Sequence, residues 1–499
     1  MTIVDRITFS DGMMQAFAAA SRDINPLHTD ATYAARTPFG YPVVYGVLGL
    51  LGALRNILRT LPIRITHLKA DFVRPLYVGE AYAVDVTAIG TNGFAIQLLG
   101  GDSVKQRIEL TYTSWTPCAD EVIDEAVPVM RTCPSTWAAS ELAGRVVPAD
   151  YIPDTSGVIE LVDALGISRG RLPDVQLSVL LWSSWFIGME IPGSQALYAR
   201  IDADFSETPP QGSRLNGEAR VSSVDEGSGF VTLATELTCQ GVVAAKVGLE
   251  ALCRPLPVEY DLDRLVHAAT SLQGYGGKRV LVTGASRGIG SLLALGAGAA
   301  GAHVFVHHRY SKEQAEAIAE RIRAAGGKAN LISGDLQDER FWSTCKRQIQ
   351  RSGRGLDRFI HSAFTPILPL ELSELSVERV RKDFERNVLS TITGLQHLLP
   401  LVNSAQGTVA LISSVYLDDP PPGFSWYVAQ KQALEGLIAT AAREHDKNVF
   451  VALRLPRLLS DQTNVNIDPS VTADTVDVAI EALRQLAAAN STGFQLVHV

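Results

Sequence analysis

The sequence predicts a multidomain protein. An α+β region, in which antiparallel sheet wraps a buried helix, is built twice in succession and is followed by an α/β doubly wound parallel sheet. Three observations carry this. A helix-length segment from Val43 to Leu58 is apolar nearly all round until Arg55, and period-2 strand patterns follow it. A motif in those strands, Ala70-Asp71-Phe72, recurs 133 residues later as Ala203-Asp204-Phe205. From Lys278 the rhythm changes to strand–helix–strand, opened by a glycine-rich turn.

At 499 residues the chain exceeds one ordinary core, and two to four domains are expected. A hydrophobic share of 46% against 19% charged describes a globular enzyme, and a net charge of −9 argues against nucleic acid as main partner. The longest apolar run, Val43 to Leu54, stops at Arg55, short of a membrane span. The opening Met1-Thr2-Ile3-Val4-Asp5-Arg6 lacks the basic region and apolar core of a signal peptide. Cys118, Cys133, Cys239, Cys253 and Cys345 form neither a C-x-x-C pair nor a metal spacing, so a reducing cytoplasm is the expected setting.

Taken in order, residues 1–140 read as a short helix, the turn Asp23-Ile24-Asn25-Pro26-Leu27-His28, the central helix, and strands at 63–74, 81–89, 95–99 and 106–115. One buried helix wrapped by antiparallel sheet is the hot-dog arrangement. The second copy spans 141–258. Gly79 and Gly212 keep the same offset as the repeated motif, and Val175–Met189, with Trp182 and Trp185, supplies a second central helix. At that offset Asp23 falls on Ser156 and His28 on Leu161, and no histidine lies between His67 and His267. The second copy is therefore expected to complete a double hot dog and shape its cavity without its own catalytic pair. Residues 119–149 read as a crossing segment, and 259–277, ending in Gly274-Tyr275-Gly276-Gly277, as a linker. In 278–499, strands at 279–282, 303–307, 329–332, 358–361, 408–413, 450–455 and 495–499 predict a Rossmann-type parallel sheet.

Interconverting a 3-hydroxyacyl and a 2-enoyl thioester needs a base for the α-proton, an acid for the β-hydroxyl and donors for the enolate oxygen. Asp23 and His28, on either side of an Asn-Pro turn, are suited to the first two tasks. The N–H of Gly46, opening the central helix, is suited to the third. Asp30 is placed to cap a short helix over 31–36. For an isolated pair, a capping aspartate and a core histidine would be the default reading; the longer run decides otherwise. Asp-x-Asn-Pro-x-His, then Thr37-Pro38-Phe39-Gly40, the helix start at Gly46, and Phe72-x-x-Pro75-x-x-x-Gly79 resemble the (R)-specific enoyl hydratases and MaoC-like dehydratases. The resemblance covers about 1–117, and 150–255 in degenerate form. It implies Asp23 and His28 as catalytic residues with Asn25 in support, and leaves open which performs which proton transfer. Tyr45 stands where that family commonly has histidine.

In the C-terminal half, Gly284, Gly288 and Gly290 form a turn between a strand and a helix, where a dinucleotide pyrophosphate must approach the backbone. Tyr427 and Lys431 share a helix face, so the ammonium is placed to lower the phenol's pKa. Ser414 lies 13 residues upstream of Tyr427 at a strand end, and Asn387 on a preceding helix. This set resembles the short-chain dehydrogenase/reductase superfamily, especially its 3-oxoacyl-ACP reductases, over essentially all of 278–499. The resemblance implies Tyr427 as general acid, Ser414 polarising the substrate carbonyl, Lys431 binding ribose, and Asn387 holding a relay water. It implies a cofactor site from Gly284, Ser286, Arg287, Gly288, Ile289, Gly290, Arg309, Asp335 and Ala363, with Tyr427 and Lys431. NADPH is the expected cofactor, because His308-Arg309-Tyr310-Ser311 stands where NAD enzymes carry an acid, and Arg287 adds a second cation. Two departures stand out: His361-Ser362-Ala363-Phe364 in place of Asn-Asn-Ala-Gly, and Pro456-Arg457 in place of Pro-Gly. Ser460–Pro469 is short for a lid. His307 and His308 lack a third metal ligand, and no metal is expected.

The expected activity is bifunctional: a 3-oxoacyl-thioester reductase and a (3R)-hydroxyacyl-thioester dehydratase, giving trans-2-enoyl thioesters in fatty-acid or polyketide biosynthesis. Acyl carrier protein is the expected carrier, docking on Lys346, Arg347, Arg351, Arg354 and Arg358 or on Arg379, Arg381, Lys382 and Arg386. A homo-oligomer through the reductase domain is also expected. Two alternatives remain. One is an (R)-enoyl-CoA hydratase with a 3-hydroxyacyl-CoA dehydrogenase of fatty-acid breakdown, which predicts NAD. The other is a carrier-binding scaffold with inactive sites.

Overall fold

The computed structural model describes residues 3–116, 128–353, 355–367, 369–461, 463 and 472–499. Cys118, part of the segment 119–149, Arg354 and most of Ser460–Pro469 lie outside them. The chain up to Pro257 forms one compact unit and the chain from Val258 another.

The first unit runs β1 (Ile3–Thr8), α1 (Asp11–Ser21), α2 (Pro26–Thr29), α3 (Ala31–Ala34), α4 (Gly46–Thr60), β2 (Ile63–Phe72), β3 (Ala81–Ile89), β4 (Gly93–Gly100) and β5 (Ser103–Ser114). It continues with β6 (Val146–Pro148), α5 (Thr155–Leu165), α6 (Asp174–Trp185), β7 (Ala196–Phe205), β8 (Glu218–Asp225), β9 (Phe230–Cys239) and β10 (Val242–Cys253). The two copies share one sheet, ordered β1-β3-β4-β5-β2-β7-β10-β9-β8-β6, and one core.

The seam is the antiparallel pair β2–β7, with Leu68 opposite Ala203 and Ala70 opposite Ile201 on the buried face. On the outer face His67 lies opposite Asp204 and Asp71 opposite Arg200. The offset of 133 carries Asp71 onto Asp204 and His67 onto Arg200, so the seam maps onto itself and behaves as a local twofold axis. Arg200 Nε donates to Asp71 Oδ1 at 2.5 Å, and His67 Nδ1 lies 2.8 Å from Asp204 Oδ1.

That register holds only locally. Helix α1 matches α5 in length and place, 144 residues on, so Asp23 does not correspond to Ser156 as the simple offset implied. The reason is loop length. The first copy spends Arg22 to Tyr45 between α1 and α4, whereas the second joins α5 to α6 through Gly166 to Pro173 alone. The whole Asp23–His28 turn is missing from the second copy, not only its histidine.

Both central helices are enclosed. Helix α6 buries Val175, Gln176 and every residue from Ser178 to Trp185, and α4 buries Val47 to Leu54. Gly49 and Gly52 let the sheet close onto α4: a Cβ on Gly52 would lie 2.7 Å from Ile7 Cδ1, and one on Gly49 2.3 Å from Gln106 Nε2. Gly52→Ala is therefore expected to lose stability. The overpacking cost of about 1–3 kcal/mol exceeds the helix-propensity gain of about 1 kcal/mol. A lower midpoint in chemical denaturation checks this.

The second unit contains α7 (Leu262–Ala269), β11 (Arg279–Thr283), α8 (Gly288–Ala299), β12 (His303–His308), α9 (Lys312–Ala324), β13 (Lys328–Ser333), α10 (Glu339–Arg351) and β14 (Arg358–His361). It ends with α11 (Val377–Phe384), α12 (Ser390–Ala405), β15 (Thr408–Ser414), α13 (Ser425–Glu444), β16 (Val449–Leu455), α14 (Thr475–Ala488) and β17 (Gly493–His498). The sheet order is β13-β12-β11-β14-β15-β16-β17, all parallel, with β11 and β15 buried along their whole length. Such strands need apolar residues on both faces because helices cover both.

Two expectations are corrected here. Residues 259–277 are not a linker: α7 buries Leu265 in this unit's core, and Tyr275 is buried with its hydroxyl donating to Leu483 O at 2.8 Å. Arg358 is not part of a surface docking face. It is 9% exposed, with its guanidinium 4.2 Å from the Tyr275 ring centroid. Among the described residues no helix is long and apolar enough to cross a membrane.

Candidate active sites

In the first unit, a cavity of about 690 Å³, counting its open mouth, is lined by Asp23, Asn25, His28, Gly46, Phe72 and Gln106 from the first copy. Ser184, Ile187, Gly188 and Tyr198 of the second copy line it as well. The Asn25 side chain builds the turn. Its Oδ1 accepts from Leu27 N at 2.9 Å, capping α2, while Nδ2 donates to Gly188 O at 3.0 Å and Gly193 O at 2.9 Å. Asp30 caps α3 through Thr32 N and Tyr33 N, as the sequence predicts.

Asp23 is 1% exposed, and burial pushes its carboxyl up to about 7 against the pull of its hydrogen bonds. Oδ1 accepts from Asn25 N at 3.1 Å and Oδ2 from the Ser184 hydroxyl at 2.8 Å. Gly188 leaves room for this carboxylate: a Cβ there would lie 2.5 Å from Asp23 Oδ1.

The His28 ring stacks on Tyr45 at 3.9 Å between centroids, and Nδ1 lies 2.8 Å from Val43 O. A carbonyl only accepts, so Nδ1 carries the proton and Nε2 presents its lone pair. Burial holds the imidazole down to about 4, and the Arg254 guanidinium adds to this. Tyr45, which stands where histidine is common, donates to Asp23 O at 2.7 Å, fixing the start of the turn. Gly46 opens α4 after Tyr45, which makes no side-chain cap, leaving the first-turn N–H groups without intrahelical acceptors.

Sequence reasoning missed Ser184, Gly188 and Arg254. The last is 7% exposed and donates to Ser194 O at 2.8 Å and Tyr33 Oη at 3.2 Å. Their common signal, small or lone polar residues in an apolar second copy, has meaning only once that copy folds against the first.

In the second unit, Ser414 ends β15 and Tyr427 lies in the first turn of α13, with the Ser414 hydroxyl pulling the phenol's pKa down. Burial raises Tyr427 to about 12, and the Ser414 hydroxyl opposes this only partly. The expected lowering by Lys431 is not seen. The ammonium is 5.7 Å from the Tyr427 ring centroid, donates to Ile412 O at 2.7 Å, and is itself pushed down to about 7 by burial. Phe364 contacts both groups, its ring centroid 4.0 Å from Lys431 Nζ and 5.4 Å from the Tyr427 ring.

Asn387 sits on a π-helical turn, Glu385–Leu389, between α11 and α12. Both N–H groups of its side chain are spent on protein acceptors, Thr365 Oγ1 at 2.8 Å and Gln430 Oε1 at 2.6 Å, and Oδ1 accepts from Thr365 N. This side chain organises the loop after β14; its amide protons are not free for a relay water.

The strand end bearing Ser414 is braced by a network the sequence did not reveal. Ser413 Oγ donates to Glu435 Oε1 at 2.5 Å, and Arg454 pairs with Glu435 through Nη2 at 2.6 Å and also with Asp418. Histidine replaces the family's asparagine at position 361 and still ties strands to helix. The Thr391 hydroxyl donates to Asn387 O, so His361 Nε2–H must donate to Thr391, and Nδ1 accepts from Thr283.

Residues suited to a dinucleotide come together at the sheet's switch point between β11 and β14. Gly284 and Gly288 take φ of +67° and +57°. A Cβ on Gly284 would lie 2.8 Å from Ala363 Cα, and one on Gly290 would strike Gly284 O. Helix α8 begins after Arg287 without a side-chain cap, so its N-terminal N–H groups suit an anion. His308 Nδ1, next to Arg309, is buried without a partner, as a site awaiting a ligand would have it. Ser286 lies in the same turn and Ile289 in the first turn of α8. His307 is a strut: Nδ1 accepts from Gly284 N at 3.1 Å and Nε2 donates to Gly334 O at 3.0 Å. Arg309 pairs with Asp335 at 2.8 Å, joining two residues for which the resemblance implies separate cofactor contacts. Among the described residues no group of His, Cys, Asp or Glu is placed to hold a metal.

Comparison with known proteins finds two families along the chain. Residues 2–104 fit the MaoC like domain and residues 278–469 the short chain dehydrogenase family. An uncharacterized oxidoreductase of Methylorubrum extorquens is 32% identical over 169 residues, covering 34% of this chain and 67% of that protein. The uncharacterized oxidoreductase YhxD of Bacillus subtilis is 32% identical over 161 residues, and the chain spans only 54% of its length. Among solved structures, a short chain dehydrogenase from Burkholderia cenocepacia in complex with NADP is 23% identical, with a TM-score of 0.41 over 45% of this chain and 98% of that one. The chain belongs to the short-chain dehydrogenase family through its C-terminal half and carries a MaoC-like hot-dog domain at its N-terminal end.

Proposed function

We propose that the chain reduces a 3-oxoacyl thioester with NADPH and dehydrates the resulting (3R)-hydroxyacyl thioester to the trans-2-enoyl product, with acyl carrier protein as carrier, in fatty-acid-like or polyketide synthesis. The observation that carries the dehydratase reading is the opposite displacement of Asp23 and His28, to about 7 and about 4, around one cavity. Below about pH 7 the carboxyl is protonated, and above about pH 4 the imidazole is neutral. His28 Nε2 then takes the α-proton, Asp23 gives its proton to the departing hydroxyl, and the α4 N-terminus meets the enolate oxygen. The reverse assignment needs ionised Asp23 beside protonated His28, the minor form of the pair when burial raises the carboxyl and lowers the imidazole. The dehydration kcat/KM is expected to rise with pH through about 4 and fall through about 7. A profile still rising from pH 7 to 9 would overturn this assignment.

On the reductase side, a bound nicotinamide supplies the hydride. A phenol held at about 12 stays protonated at neutral pH, the state in which Tyr427 gives a proton to the carbonyl oxygen. Ser414 orients that oxygen, and Lys431 is the residue to hold the ribose. Arg309 and Arg287, with no acid at the end of β12, support NADPH; exposed Arg347 and Arg351 on α10 support an acidic carrier. One observation favours the breakdown reading: Asp335 partly neutralises Arg309. Incubation with 3-oxoacyl thioesters of carrier protein and of CoA, with NADPH or NADH, should give enoyl product fastest with NADPH and the carrier. A strong NADH preference would overturn the biosynthetic direction.

A further inference from the structure

The loop after β14 departs from the family at a position that touches both assigned reductase groups. Phe364 occupies the place where the family has glycine. Its ring lies 4.0 Å from Lys431 Nζ and edge-on to Tyr427 at 5.4 Å between centroids. The residues on either side are fixed. Ala363 packs under Gly284 so closely that a Cβ on the glycine would come within 2.8 Å, and Thr365 is clamped by Asn387 through two hydrogen bonds. Lys431 is 6% exposed and spends one proton on Ile412 O, so the ring face covers a large part of what the ammonium still offers.

We propose that Phe364 sets cofactor affinity, its ring holding the Lys431 ammonium in a cation–π contact that the ribose hydroxyls of a dinucleotide must displace. This rests on the reductase reading above. A glycine at this position leaves the ammonium open; phenylalanine makes every binding event exchange one partner for another. The residue thus lowers affinity for the dinucleotide in both its oxidised and reduced forms, and release is eased along with it.

Calorimetric titration of the full-length chain with NADPH tests this in Phe364→Ala, and in Phe364→Leu, which keeps apolar bulk while removing the π face. Both are expected to bind roughly threefold to thirtyfold tighter than the wild type, the range of a cation–π contact. Lys431 should also be labelled faster by an amine reagent in both variants, read by peptide mass spectrometry without any turnover. Binding of unchanged or weaker affinity would overturn the inference alone, as would an unchanged labelling rate. Failure of wild type and variants alike to bind NADPH or NADH would overturn the reductase reading and the inference with it.

Discussion

Asp23→Asn is expected to abolish dehydration while making the first unit more stable above neutral pH. The loss of activity should be about 10²–10⁴-fold, because an amide has no proton to give the departing hydroxyl. The gain in stability follows from burial. The carboxyl keeps its proton up to about pH 7 when folded, against 3.8 for the ordinary group. Between those values the unfolded chain ionises freely, while folding must return the proton. Stability therefore falls as pH rises through the window, and the full cost is present above about pH 7. Its upper bound is about 4 kcal/mol. Asparagine avoids that cost and can still accept from Asn25 N while donating to the Ser184 hydroxyl. Denaturation of both forms at pH 4.5 and pH 8 checks this: the variant's advantage should be several times larger at the higher pH. Equal gaps at the two values would mean that the carboxyl is not displaced.

Tyr427→Phe is expected to separate the two activities. Reduction of the 3-oxo substrate should fall by about 10²–10⁴-fold, whereas dehydration of a supplied 3-hydroxyacyl thioester should continue at the wild-type rate. The groups assigned to each reaction come from different units, so no catalytic atom is shared. The variant keeps the aromatic packing of Phe364, Tyr416 and Phe424 around the ring and removes only the phenol hydroxyl. Mass analysis of products from the two substrates reads both activities in one preparation. Reduction within tenfold of wild type would remove Tyr427 from the proton transfer.

Both folds were legible because their patterns are local. The all-apolar α4, the alternation in β3 and the glycine turn before α8 each declare themselves within a short window. The seam was readable too, since the offset between Asp71 and Asp204 is conserved where the strands pair. What stayed hidden depends on burial by distant chain. Helix α7 reads as linker because a glycine-rich stretch follows it, while the core that takes Leu265 is built by the later Rossmann elements. Lys431 was expected to tune Tyr427 from helical spacing alone. Spacing places both on one face, but does not say that the ammonium turns to Ile412 O and the Phe364 ring. Ser184 had no sequence signal, since a serine in an apolar helix acquires its purpose only from the carboxylate facing it.

The shared ten-stranded sheet also bears on how such a site can change. Two identical subunits related by a twofold axis must mutate together, so a substitution that helps one site is imposed on its mate. Joining the copies in one chain lifts that bond. The second half could give up its long turn for the short Gly166–Pro173 connection, and place a serine and a glycine against Asp23 instead. One half became the tool and the other its handle, a division of labour that no symmetric pair can adopt.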